Sequence, residues 1–354
     1  MKVPTKNLNG ASDLFQGKTP SLWKFLKDGL TSSFFEKFVQ CKEQNKLHYV
    51  DGWSGRNIPI GIEFGSCCHW VLEQAYQRRD HVAVLLEHPV DRLGQQVKEW
   101  VSQYEKYWRQ EVRVPSSAQL STQELIYGLA EVIIPEYVKC YAGDFTGEYA
   151  QGLNVYPKEW LSLEEVFMVP YVYPDGKTVP VRGRCDGIFK DKNSGIWVFD
   201  TKCRSVIQED ILVKEMPFDP QFMLYSWVGK QRYKTTPKGI VQNIIRRPQQ
   251  RLSGYTSLKS MLERVRDEVR RRPQYYFIRI DLSFSPQEMT DWENRVLHPM
   301  MQEVREWWEG KPYYYNGRAL SSKYGPCELF AAITSGNFSM CYKREYAFSE
   351  LKDL

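Results

Sequence analysis

Val181-Arg-Gly-Arg-Cys-Asp186-Gly-Ile-Phe189, a turn over Asp191 to Gly195, and Ile196-Trp-Val-Phe-Asp200-Thr-Lys202-Cys-Arg204 form the stretch whose reading decides the fold. Both flanks read as strands, and Lys192-Asn-Ser-Gly195 supplies the turn chemistry between them. Along the first, Val181, Gly183, Cys185 and Gly187 share one face, and Arg182, Arg184, Asp186 and Ile188 share the other. The second is rich in β-branched and aromatic residues, and alternation keeps Asp200 and Lys202 on one face. A hairpin of this kind sets Asp186 near Asp200. Two carboxylates and a lysine at the end of an apolar hairpin are costly to desolvate unless the charge is used. An ion pair on an exposed strand would explain Asp200 and Lys202 alone; a divalent metal would explain all three groups.

Working outward, the chain before this hairpin supplies helices. In Thr31-Ser-Ser-Phe-Phe-Glu-Lys-Phe, Ser32 or Ser33 is the expected cap of a helix that buries Phe34, Phe35 and Phe38, with Cys41 one turn on. A second helix is expected to begin near Ser66. It carries His69 and Glu73 on one face, four residues apart, with Trp70, Val71 and Leu72 free to pack inward. A lone histidine is more often an ordinary core or surface residue, but this one opens a helix with a carboxylate one turn on. Residues 91–112 and 121–142 have helical periodicity, the first through Val97, Trp100, Val101, Tyr104 and Trp108. A strand over Leu163–Tyr173 and the Pro174-Asp-Gly176 turn then lead into the hairpin.

After the hairpin, Asp219 caps a helix with Pro220 at its first position, and Gln221 and Tyr225 share a face of it. Short apolar strands follow at Gly239–Ile245 and Tyr276–Leu282. Between them lies a basic stretch, Gln249 to Arg272, that includes Arg251 and ends in Arg270, Arg271 and Arg272. Such runs are usually solvated faces, but this density beside a candidate metal site suits phosphate contacts. Ser285 to Trp308 reads as one last long helix.

Composition sets the outer bounds. The 354 residues are 42% hydrophobic and 26% charged, as in an ordinary globular protein of one large or two modest domains. The net charge of +5 neither demands nor excludes a polyanionic partner. No apolar run is long enough for a membrane helix, and the N-terminus lacks the apolar centre of a secretory signal. The eight cysteines form no compact framework, which suits a reducing compartment, so a cytoplasmic location is expected, in a host if the chain is phage-encoded. No Gly-x-x-x-x-Gly-Lys-Ser motif is present, so ATP-driven unwinding would need a partner.

In order, the chain shows Gly65-x-x-x-His69-x-x-Leu72-Glu73, Gly183-Arg-Cys-Asp186-Gly187, Asp200-Thr-Lys202 and Gln221-x-x-x-Tyr225. This series resembles the RecB-like branch of the PD-(D/E)xK nuclease superfamily, over roughly Thr31 to Leu282. The resemblance implies an α/β fold: an αβββαβ restriction-endonuclease-like core, its mixed central sheet of about five strands flanked by helices, with added helices. It implies an N-terminal arm over 1–30, a nuclease domain over 31–282 with a helical insertion at about 91–142, and a C-terminal helix and tail over 283–354 packed on the same domain. The implied activity is metal-dependent hydrolysis of DNA, foremost as a phage-type exonuclease of replication, recombination or repair. A structure-specific or restriction-type endonuclease, or a non-catalytic DNA-binding protein that keeps the fold, are the alternatives.

By the same resemblance, His69, Asp186, Asp200 and the carbonyl of Thr201 hold Mg2+ or Mn2+, the imidazole favouring Mn2+. Lys202, with a pKa lowered by desolvation, assists the attacking water. Gln221 and Tyr225 hold the site in register, and Glu73 acts from behind it. Arg182, Arg184, Arg204, Arg270, Arg271 and Arg272 are the expected nucleic-acid contacts. DNA is the expected partner, along with a helicase, recombinase or single-strand-binding protein. Some CRISPR-associated relatives carry an iron–sulfur cluster on one early and three late cysteines. Here Cys41 matches the early one, but only Cys327 and Cys341 lie in the tail, so no cluster is expected.

Overall fold

A computed structural model of the chain describes residues 22–55, 60–88, 91–111, 117–149, 155–249, 257–314, 316–322, 325–344 and 348. In chain order the elements that matter here are α1 (Ser32–Gln40), α2 (Ile60–Gln77), α3 (Arg92–Glu111), α4 (Ser117–Cys140), β1 (Glu159–Val172), β2 (Thr178–Lys190), β3 (Ile196–Arg204), α5 (Pro220–Tyr233), β4 (Gly239–Arg246), α6 (Leu258–Arg271), β5 (Phe277–Ser283) and α7 (His298–Trp308). The five strands form one sheet in the order β1-β2-β3-β4-β5. β3 pairs antiparallel with β2 and parallel with β4, and β4 pairs antiparallel with β5, so the sheet is mixed. This is the expected αβββαβ arrangement, α2 standing before the first three strands and α5 crossing from β3 to β4. Among the described residues no helix is long and apolar enough to cross a membrane.

The chain divides into two compact units: residues 1–57, 166–184 and 285–354, and residues 58–165 and 185–284. The second holds the larger core. One face of β3, through Trp197, Phe199 and Cys203, packs in a cluster with Phe64, Cys67, Cys68 and Val71 of α2 and with Ile126, Ile133 and Tyr137 of α4. The other face of β3 lies on the α5 side, where Phe222, Leu224 and Val228 are buried. Both faces are therefore covered, which is why β3 is apolar almost throughout and its charged residues stand out.

The first unit has an aromatic core. Trp23 stacks on Phe34 with ring centroids 4.8 Å apart, and Trp307 meets Phe38 edge-on at 5.4 Å. Gly29 takes φ +70°, and a Cβ there would lie 1.9 Å from the Pro180 carbonyl, so this turn requires glycine. All eight cysteines are free thiols.

Three helix boundaries differ from those expected. Thr31, not Ser32 or Ser33, caps α1, its hydroxyl accepting the Phe34 N–H at 3.2 Å. α2 begins at Ile60 rather than near Ser66. Burial of Phe64, and the 2.9 Å hydrogen bond from Tyr104 to the buried Glu63, favour the extra turns, and Ser66 donates back to the Ile62 carbonyl instead of capping. The helix expected over Ser285–Trp308 is interrupted by a π turn at Glu293–Leu297. Pro299, one residue into α7, has no N–H to give the preceding turn, and the widened turn accommodates that loss. Trp108 and Arg251, both named from the sequence, lie outside the described side chains.

Candidate metal centre and active site

The hairpin forms as its sequence demands. Asp191 organises the turn, its Oδ1 accepting the N–H groups of Asn193 and Gly195 at 2.8 Å each and its Oδ2 the Trp197 indole at 2.9 Å. The β2–β3 ladder runs from Lys190–Ile196 to Gly187–Phe199. Gly187 is glycine because a Cβ there would come within 2.6 Å of the Trp160 ring. One step past the ladder, Asp186 Oδ2 accepts the Thr201 N–H at 2.6 Å, so the carboxylate occupies a place that main chain fills elsewhere.

On the α5 side of β3, Lys202 Nζ donates to Asp200 Oδ1 at 3.2 Å and to Gln221 Oε1 at 2.6 Å. Gln221 Nε2 in turn donates to the Tyr225 hydroxyl at 3.0 Å. Asp219 caps α5 by accepting the Gln221 N–H at 2.9 Å, which fixes where that helix presents Gln221. Asp200 is 1% exposed, and its second oxygen, Oδ2, accepts no hydrogen bond of good geometry but lies 3.2 Å from the Lys202 ammonium. Burial drives the Asp200 carboxyl above its usual range; Lys202 opposes the shift and Asp186 adds to it. Burial alone would lower the Lys202 ammonium, but the carboxylates of Asp200 and Asp186 outweigh it and hold the pKa above its usual value. The lowered pKa expected for Lys202 is thus corrected: two acidic neighbours keep it charged.

A second set of groups meets these at Asp186. His69 Nδ1, from α2, lies 3.5 Å from Asp186 Oδ2. Glu164 of β1 completes a triple, one ligand atom from each of His69, Glu164 and Asp186 lying within 4.8 Å of the others. Glu164 is absent from the sequence-based set. Its φ of +51° breaks the alternation of β1, so strand counting does not say which way its side chain turns. The adjacent pair Glu164-Glu165 in an apolar strand was the one available signal, and Glu165 is accounted for by an ion pair with Arg232.

An imidazole and two convergent carboxylates, with a third, buried carboxylate beside them, suit a divalent cation with oxygen and nitrogen ligands. Asp200 is not part of the converging triple, and the side chain of Thr201 faces away from it. Glu73 accepts a 3.1 Å hydrogen bond from Gln77 one turn further along α2.

The expected arginines fall in different settings. Arg182 donates to the Lys27 carbonyl at 3.0 Å, and Arg184 is exposed. Arg270 pairs with Glu136 at 2.9 Å, Arg271 donates to the Asp267 carbonyl at 3.1 Å, and Arg272 lies 3.7 Å from Glu268. Arg204 ends β3, half-buried.

Behind the site, on the α2 and α4 side of the sheet, runs a polar row that the sequence did not reveal. Thr201, Asn243 and Arg279 are register partners on β3, β4 and β5. Asn243 Nδ2 donates to Thr201 Oγ1 at 3.1 Å, and Arg279 Nε donates to Asn243 Oδ1 at 3.2 Å. Arg279 also grips the buried Asp144 with both terminal nitrogens, one of them at 3.0 Å, and donates to the Tyr137 hydroxyl at 3.1 Å. Tyr76 and Tyr149 give Asp144 further bonds, at 2.8 and 3.3 Å.

The model of the PD-(D/E)XK nuclease superfamily matches residues 30–313. No curated protein matches. Among solved structures, the chain is similar to the crystal structure of SSO0001, at 11% identity over 60% of this chain and 70% of that one, with a TM-score of 0.26.

Proposed function

The chain belongs to the PD-(D/E)XK nuclease superfamily, and from that premise we propose that it is a RecB-like, divalent-metal-dependent deoxyribonuclease acting as an exonuclease in DNA replication, recombination or repair, of the phage type. The observation that carries the catalytic part is the linked set Asp186, Asp200, Lys202, Gln221 and Tyr225, joined at Asp186 to His69 and Glu164. The cation, Mn2+ or Mg2+, would be held by His69, Glu164 and Asp186, with Asp200 and the Thr201 carbonyl as further donors. Bound there, it would supply positive charge beside the phosphate and lower the pKa of water.

The protein's own groups do the positioning. Lys202 stays protonated between Asp200 and Gln221, so it presents a fixed positive charge to the phosphate rather than a free base. Gln221, held by Tyr225 and by the capped start of α5, stops the lysine from swinging out of line. The nuclease domain in this reading covers 31–282, including the helices of about 91–142, with 283–354 as its C-terminal extension; the protein works in the cytoplasm. DNA is the substrate, and a helicase, recombinase or single-strand-binding protein is the partner that presents it.

The test is cleavage of end-labelled linear and of covalently closed circular DNA with Mn2+, Mg2+ or EDTA. Metal-dependent loss of linear DNA alone is expected. Cutting of circles would replace the exonuclease with an endonuclease, and binding without cutting would overturn the catalytic reading.

A further inference from the structure

Two residues beyond Lys202, the adjacent ends of β3 and β4 carry arginines. Arg204 and Arg246 are register partners on these adjacent parallel strands. Arg247 follows directly, its N–H donating to the Arg204 carbonyl at 2.8 Å. Arg246 Cζ lies 4.0 Å from the centroid of the Tyr275 ring, and Arg272 Cζ lies 4.3 Å from the same centroid. Arg246 Nε also donates to the Tyr275 carbonyl at 2.9 Å, so this guanidinium is held by both ring and main chain.

Like charges at paired strand positions repel, so such a group needs an anion to offset it. Among the described residues no carboxylate lies within 4.0 Å of Arg204, Arg246 or Arg247, and Glu268 lies 3.7 Å from Arg272. Arg270 differs: its charge is already matched by Glu136 at 2.9 Å. The cluster is also well placed. Lys202 and Arg204 share a face of β3, and two residues of extended chain advance roughly 6.6 Å. A strand whose scissile phosphate sits at Lys202 therefore carries a neighbouring phosphate to Arg204.

We propose that Arg204, Arg246 and Arg247, with Tyr275 and Arg272 holding the cluster in shape, form a binding subsite for a backbone phosphodiester adjacent to the one that is cut. The subsite rests on the nuclease reading and deepens it, because it separates the arginines that grip the strand from those, such as Arg270, that hold the protein together. Guanidinium forks suit the non-bridging oxygens of a phosphodiester, and the tyrosine clamp reduces the freedom lost on binding.

The test is binding of a fluorescent single-stranded oligonucleotide and of the same sequence as a duplex by the full chain, in EDTA so that nothing is cut, over a salt series. Arg246→Gln and Arg247→Gln are each expected to weaken binding about 3–10-fold, and the pair to reduce the slope of log affinity against log salt by about 1.4 to 1.8. Tyr275→Ala should weaken binding less, with Tyr275→Phe restoring it. Lys190→Gln, remote from the cluster, is the control. In Mn2+ the arginine variants should raise KM more than they lower kcat. Wild-type affinity and salt slope in a folded Arg246→Gln/Arg247→Gln variant would overturn the subsite while leaving the nuclease intact. Binding with the expected salt slopes but no cutting by the wild type would do the reverse.

Discussion

The two faces of β3 carry buried charge in opposite ways. On the face toward α4, Arg279 and Asp144 form a closed set: each carboxylate oxygen of Asp144 is bonded, and the guanidinium reaches Asn243, Tyr137 and Asp144 at once. On the face toward α5, Asp200 is as deeply buried, but its two oxygens share one cation, Lys202, at 3.2 Å each, and a second acidic group, Asp186, lies beside it. A buried polar set whose charges are matched holds a fold together; one with an excess of acidic groups beside an imidazole is suited to a cation that is not protein. On this contrast we propose a stabilising role for the first constellation and a chemical one for the second.

The largest expected effect separates the two directly. Asp200→Asn should lower cleavage at least 10^3-fold, about 4 kcal/mol of transition-state stabilisation. The same variant should change the stability of the metal-free protein by no more than about 1 kcal/mol, since burial disfavours the Asp200 carboxylate and Lys202 keeps Gln221 and Asp186 as neighbours. Cleavage assays beside chemical denaturation measure both. A large loss of stability would put Asp200 with the structural set and break the comparison.

Arg279→Met is the converse case. It leaves Asp144 buried without its cation, and the expected cost is about 3–5 kcal/mol, read as a lower denaturation midpoint. Adding Asp144→Asn to it should recover part of that loss, because the uncompensated charge is gone. A cost below about 1 kcal/mol for Arg279→Met would mean that the back-face set is dispensable.

The metal-free protein should also show the difference in its pH dependence. Burial pushes the Asp200 carboxyl up to about 7 in the folded state. Between the ordinary carboxylate value near 4 and that pH, the folded chain holds a proton that the unfolded chain has released. Stability should therefore fall as pH rises through this window. In Asp200→Asn the slope from this group should vanish, which denaturation at a series of pH values in EDTA would detect. An unchanged slope in the variant would assign the titration to another group.

How far each face was legible in the sequence follows from the kind of contact that builds it. The hairpin, the shared face of Asp200 and Lys202, and the Gln221–Tyr225 pair come from alternation, a turn and helical spacing, all local, so they could be read from a few residues each. The αβββαβ order followed from the same local elements taken in sequence. Glu164 could not be placed, because its φ of +51° breaks the period on which strand reading depends. Arg279 and Asp144 are 135 residues apart, and no local pattern announces such a partner. The start of α2 at Ile60 was missed for a related reason: Phe64 and Glu63 are stabilised by packing and by Tyr104, and Ser66, a good cap in isolation, is overruled.

Asn243 is where the division between the two faces is thinnest. Its side chain is bonded both to Arg279 and to Thr201, whose own N–H is held by Asp186. Asn243→Ala leaves the Arg279 Nε and the Thr201 hydroxyl without these partners, at an expected cost of about 1–2 kcal/mol. If the faces are independent, Mn2+ affinity measured by calorimetry should fall no more than about threefold, because Asp186 and Asp200 keep their own partners on the front. A fall of about tenfold or more, the size expected when a group supporting the ligands is removed, would show that β3 transmits the order of the buried ion pair to the metal ligands. Asn243 would then belong to the site despite facing away from it.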